Sequence, residues 1–256
     1  MAAGRTVGQK FTRVYIDGYD MSGYTRSVGN LEWGFSENAV ATLTDEVTGA
    51  FPGQGNIAIG DVNAVMDNTA TSGFHELFKS ASDAVRDVMV AIGIRAAPVE
   101  GDPVFCAQVA QNAYTTNVAD EVITVNMELG SWDERADTKA YPYPWGNLIH
   151  ANGAETAVNA GAADHSASAA TTKGGFMMYH VFPGSTGTCT FKIQDSTGGA
   201  FSDLVSSGVL TQVAATGQSG VVALGSTGTV NQDLRWQIVL GTATTATFAL
   251  AFVRGR

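Results

Sequence analysis

Residues 122–129 read Val-Ile-Thr-Val-Asn-Met-Glu-Leu. Ile123, Val125, Met127 and Leu129 alternate with Thr124, Asn126 and Glu128, a period of two that lays four apolar side chains on one face of an extended chain. The pattern repeats on either side. Upstream, Phe11 to Asp17, Thr25 to Phe35 (with Leu31, Trp33 and Phe35 on a shared face), Asn56 to Val65, Val85 to Ile94 and Pro103 to Tyr114 read as strands. Downstream, Phe176 to Phe182 is followed by Cys189, Phe191 and Ile193 alternating with Thr190, Lys192 and Gln194, then by Leu234, Trp236, Ile238 and Leu240, and last by Phe248, Leu250 and Phe252. Gly/Ser/Thr turns such as 184–187 and 225–228 separate them, and glycines outnumber prolines thirty to six. The chain is therefore expected to be mainly β, a sandwich or split barrel with a C-terminal all-β region. One exception stands out at about 72–83, where Phe74, Leu77, Phe78 and Ala81 fall at i, i+3, i+4 and i+7 and predict a short helix with Thr71 or Ser72 as its cap. So short a helix must pack its apolar stripe on a sheet to persist.

The 256 residues are 45% hydrophobic and only 15% charged, against roughly 25% charged in an average soluble domain. That content excludes a disordered chain. The opening MAAGRTVGQK has no apolar core, so no secretory leader is expected, and no apolar run reaches the roughly 18–20 residues of a membrane-spanning helix. The net charge of −10 excludes a generic nucleic-acid clamp, which needs a basic surface to release counterions from phosphate. Residues 1–133 hold seventeen acids and seven bases, and residues 134–256 hold seven of each. This asymmetry points to two units: 1–133, a linker or long loop at 134–172 whose later part is small, polar and low in complexity, and 173–256.

No catalytic constellation emerges. There is no phosphate-binding glycine loop, no paired-histidine metal motif and no nucleophile elbow. His75 and His180 sit in apolar patterns and read as packing residues, and His165 lies in the low-complexity stretch. Asp17 and Asp20 lack the further spaced oxygens of a calcium loop. Asp45 and Glu46 are adjacent and point apart on an extended chain. Cys106 and Cys189 read as buried small hydrophobes. The chain is expected not to be an enzyme and to need no cofactor or metal.

Self-association is the remaining physical clue. Strands rich in Thr and Ala and poor in Lys are weakly guarded against edge pairing. The stretch 37–55 has no clean period and reads as a long loop or weak hairpin, and Val40, Leu43, Val47 and Phe51 among its polar residues suit either a neighbouring subunit or its own domain.

The residues VYIDGYDMSGYTRSVGNLEWGFSENAVATLTDEVTGAFPGQGNIAIG (14–60) resemble the opening of tail tube (major tail) proteins of long-tailed, siphovirus-like bacteriophages. The likeness lies in the turn Asp20-Met21-Ser22 between strands, the threonine-bearing Ala41-Thr42-Leu43-Thr44, and Pro52-Gly53 before the next strand. The end, 191–204 and 233–256, is similar to the closing segment of some of these proteins. The resemblance implies a virion protein made in the host cytoplasm. Its β-sandwich would carry one flanking helix and close into stacked rings, hexameric or trimeric with two tube-like units per chain. The loop would reach a neighbouring copy, and other tail proteins would be partners. The second half would be either a second tube-like unit or an outer decoration domain.

On that reading the acidic first half lines a conduit for DNA ejection. DNA carries about one charge per 1.7 Å of axis, so an acidic wall keeps it mobile. Asp61, Glu100, Asp102 and Glu128 are the candidate lumen acids on the solvent face. Two other readings remain: a head-decoration or tail-adaptor protein, and a carbohydrate-binding β-sandwich using Trp33, Trp132, Trp145 and Trp236 as sugar platforms.

Overall fold

The computed structural model describes residues 9–40, 49–79, 84–94, 96–118, 122–131, 143–156, 170–184, 186–225 and 227–255. The first half builds β1 (Thr12–Ile16), β2 (Tyr19–Asp20), β3 (Thr25–Val28), β4 (Leu31–Val40), β5 (Gly49–Val65), α1 (Phe74–Phe78), β6 (Val85–Ile92), β7 (Pro103–Asn117) and β8 (Thr124–Ser131). All their pairings are antiparallel and run β2-β1-β6-β7-β8-β5, with β3 and β4 both on the far side of β5. The sheet curls around Ile16, Ile59, Val62, Val88, Phe105, Val125 and Met127. Phe74 and Phe78 of α1 enter that core and are fully buried, their rings edge to face with centroids 4.9 Å apart. Burying each ring contributes roughly 1.5–3 kcal/mol.

The second half adds β9 (Trp145–Glu155), β10 (Gly175–Val181), β11 (Gly187–Ser196), β12 (Ser202–Ser206), β13 (Leu210–Gln212), β14 (Gln218–Leu224), β15 (Asp233–Leu240) and β16 (Ala246–Arg254). The order β14-β10-β16-β9 joins the first half through β9 and the start of β7, and a second sheet places β12 and β13 on one side of β11 and β15 on the other. Phe191, Ile193, Trp236, Ile238, Phe248 and Leu250 fill the space between these two sheets. The opposite face of β10, β16 and β9 packs Phe176, Met178, Ala251 and Leu148 on Tyr15, Met89, Val104 and Cys106 of the first half. Strands β10 and β16 thus form a middle layer covered on both faces, which is why Phe176 to Phe182 is buried without a break.

Several expectations change. The region read as a linker contains β9, paired to β16 and β7, so the halves share a sheet and a core layer. Thr25 to Phe35 is two strands broken at Gly29-Asn30. The stretch 37–55 resolves in favour of the hairpin, with β4 and β5 paired out to Val40 and Gly49. The helix spans five residues, capped by Gly73 without a side-chain bond; Thr71 lies at φ 67° and Ser72 in the preceding turn. The Asp67 carbonyl, rather than a hydroxyl, accepts the His75 N–H. Leu77 is half-buried against the core, and Ala81 lies outside the described residues.

Candidate assembly surfaces

The polar residues that alternate with the first core gather on the opposite face of the sheet. Register pairs Ser27 with Asn63, Asn63 with Asn126, and Asn126 with Thr115, a row of uncharged polar side chains across β3, β5, β8 and β7. The hollow beside it encloses about 680 Å³ and is lined by no Lys or Arg; Asp61 is its one charged lining residue. Its curvature has a local cause. Between the pairs Ile59–Leu129 and Val62–Met127, Gly60 and Asp61 together oppose Glu128, a bulge that bends β5. The bend fits the β3–β4 break, because the Gly29 N–H donates to the Asp61 carbonyl (2.8 Å) and the Gly60 N–H donates to the Asn30 carbonyl (2.7 Å). The bulge sets the exposed acids Asp61 and Glu128 opposite each other across the β5–β8 ladder.

The other two candidate acids lie elsewhere. Glu100 is exposed in the β6–β7 connection, where its Oε1 accepts the Trp236 indole N–H at 3.1 Å. Asp102 is not on the solvent face: it is 9% exposed, and its Oδ2 accepts the Val99 N–H at 2.9 Å, closing the turn before β7. A carboxylate that satisfies a turn donor is drawn inward, and the sequence pattern does not distinguish it from a free one.

The distal β4–β5 hairpin has no third strand among the described residues. Among the described residues β5 meets β8 over residues 59–65, while residues 49–58 run alongside β4. Val40 pairs with Gly49 and Phe51 with Asn38 in this arm; Leu43 and Val47 lie outside the described residues. The outer edges of β4 and β14 carry no ladder partner among the described residues, and β14 (Gln-Ser-Gly-Val-Val-Ala-Leu) has neither charge nor proline to guard it.

A buried polar network holds the two halves in register. Asp17 Oδ2 accepts from Arg86 (2.7 Å) and Oδ1 from the Asp87 N–H (2.9 Å). Arg86 also donates to Gln111 Oε1 and lies over the Phe78 ring, while Gln111 donates to the Phe78 carbonyl. Asp87 accepts from Gln108 and from Ser219 of β14. The Gly18 N–H donates to His180 Nδ1 at 3.0 Å. That bond puts the ring proton on Nε2, which is buried without a partner.

The remaining polar and aromatic candidates serve packing. Asp20 accepts from the Ser22 N–H and from Asn152. His75 meets the Tyr114 hydroxyl at 3.0 Å, and His150 stacks on Phe248 at 4.0 Å; His165 is outside the described residues. Among the described residues no three His, Cys, Asp or Glu side chains converge on a metal-sized space. Cys106 and Cys189 are free and buried in different core layers, and burial pushes the Cys189 thiol up to about 11. Trp236 is core, Trp145 packs edge to face on Phe105, and Trp33 is 39% exposed but packs edge to face on Tyr143. Trp132 is outside the described residues. No described helix is long and apolar enough to cross a membrane.

No family model matches the chain, and no curated protein does. Among solved structures the chain is similar to the SPP1 Dit protein (gp 19.1), described as a paradigm of the hub adsorption apparatus in Gram-positive-infecting phages. Identity is 11% and the TM-score 0.33, over 94% of this chain and 98% of that one. The functional reading rests on this chain's own surfaces.

Proposed function

We propose that the protein is a structural component of a phage virion, and within it the tail tube: copies close into rings, the rings stack, and the bore passes DNA without holding it. The observation that carries this reading is the β4–β5 arm. A two-stranded hairpin is marginal in water without a third strand or a packing partner, and this one continues for several residues past the last rung it shares with β8. Contact with a second copy supplies that partner. The open edges of β4 and β14 give adjacent subunits strands to join, and closure of a ring removes such edges. The polar face of β3, β5, β7 and β8, with a hollow lined by Asp61 and by no Lys or Arg, is the surface suited to the bore.

Excising residues 37–52 and joining the stubs through Asn-Gly tests the reading. The shortened chain is expected to keep its fold by circular dichroism and to sediment as a monomer at concentrations where the full chain forms large assemblies. Assembly equal to that of the full chain would remove the arm from the account.

A further inference from the structure

The curled first sheet does not close among the described residues. β1 pairs with β6 along its whole length but with β2 only at Tyr15 and Ile16. The one described partner of β3 is β5. The edge of β1 ahead of Val14 and the outer edge of β3 therefore lack a ladder between them, and a groove of about 380 Å³ runs along this seam. The groove opens onto the first core. Val14 on its floor is buried, while Val28, Leu31 and Ile92 pack against that core and are only partly covered. The rim carries Lys10, Arg13 and Arg26 and no described acid, in a half of the chain that holds seven bases against seventeen acids. None of the three forms an ion pair with a described acid. Lys10 and Arg26 are exposed, and Arg13 donates to the Lys10 and Thr12 carbonyls, which keeps its guanidinium at the rim.

We infer that this groove is a docking slot for an extended segment of another protein, one whose side chains alternate between apolar and acidic; the inference goes beyond the tube reading and does not depend on it. Three features converge on that occupant. Unpaired strand edges offer backbone donors and acceptors to an added strand. An added strand turns alternate side chains to opposite faces, so one set covers Val28, Leu31 and Ile92 while the other stands at the rim with Lys10, Arg13 and Arg26. The charge is complementary, and opposite charges at such a contact set register and exclude other partners. A free anion meets the bases but leaves the floor and both edges uncovered, and a neutral apolar strand leaves the bases unanswered. The chain's own residues 1–8 carry Arg5 and no acid, so their charge does not match the rim. The four residues of β3 give the slot a length of roughly 13 Å.

Fluorescence anisotropy on the full chain at low salt tests the slot, with a blocked, dye-labelled hexapeptide of alternating glutamate and valine as the probe. This peptide is expected to bind roughly tenfold or more tightly than the matching lysine–valine peptide. Methylating its alternate backbone nitrogens is expected to weaken binding by a similar factor, because the strand then cannot pair with an edge. Lys10→Glu with Arg26→Glu, both on exposed side chains, is expected to reverse the preference between the two peptides, and near-ultraviolet circular dichroism verifies the fold. No binding, equal affinity for the two peptides, undiminished binding of the methylated one, or an unchanged preference in the reversed variant overturns the slot. So does binding that appears only after residues 1–8 are removed, which gives the groove to the chain's own segment. Release of one copy from another by the peptide gives it to a second copy and overturns the slot as well. The tube reading is tested by assembly of the chain without peptide, so the two fail separately.

Discussion

At the scale of single residues, the turn after β1 concentrates the constraints. Gly18 has φ 82°, and a Cβ there would sit 2.2 Å from the Gln218 backbone nitrogen. Gly18→Ala therefore meets both backbone strain and overpacking and is expected to cost about 3 kcal/mol in chemical unfolding; a change within 0.5 kcal/mol, the ordinary range for a surface site, would show that the turn is not locked. His180 sits beside it. Burial holds its imidazole down at about 4 from an ordinary 6.5, against the upward pull of Asp87. The folded chain thus refuses a proton that the unfolded chain binds, so the stability from neutral His180 is complete above pH 6.5 and is lost as pH falls towards 4. Asp17 runs the other way: burial raises its carboxyl above 3.8, opposed by Arg86 and the Asp87 N–H, a contribution present below 3.8 and lost as pH rises. Denaturant midpoints are expected to fall between pH 6.5 and 4, with a shallower slope in His180→Gln; equal slopes would remove His180 as the cause. At this scale the inward set Val125, Met127 and Leu129 is legible from alternation alone, whereas the burial of Asp102 depends on a turn donor that no local pattern announces.

At the scale of elements, strands were easier to read than their interruptions. The Gly29-Asn30 break in the run Thr25 to Phe35 is a turn signal in plain sight, but its consequence, the partner bulge at Gly60-Asp61, needs the cross-strand register. The helical stripe identified Phe74 and Phe78 as core but overextended the helix, because backbone bonds to Asp67 and Thr69 set its start in place of a side-chain cap. β9 shows no sustained alternation: Leu148, Ile149 and His150 are all buried, and apart from Trp145 the rest are small or polar. The Asp61–Glu128 juxtaposition carries a prediction at this scale. Asp61→Asn is expected to stabilise the chain by roughly 0.2–1 kcal/mol by removing a like-charge contact, measured by thermal or chemical unfolding; a loss of stability would show that the pair is not in repulsion. If this face lines the bore, Asp61→Lys with Glu128→Lys is expected to make assembled protein retain double-stranded DNA in a filter assay at low salt, where the wild type does not. Equal retention by both would remove repulsion from the account.

At the scale of the whole molecule, the charge asymmetry between halves describes the surface and not the core. Residues 1–133 are acidic and 134–256 neutral, yet β9, β10 and β16 pack directly on β1, β6 and β7 through Tyr15, Met89 and Cys106. Exposed charge is set by what each surface meets, while apolar faces pair wherever the topology brings them together, so a boundary drawn from charge does not divide this fold. The mainly β class was legible because period-two alternation survives in most strands; the middle layer was not, because strands covered on both faces lose that alternation. In the proposed assembly, copies of this chain join through the arm and the open edges to enclose a hollow. Negative-stain electron microscopy of the concentrated, purified chain tests this most directly: stacked rings or hollow tubes of uniform width are predicted, and a field of separate single particles at every concentration would contradict it.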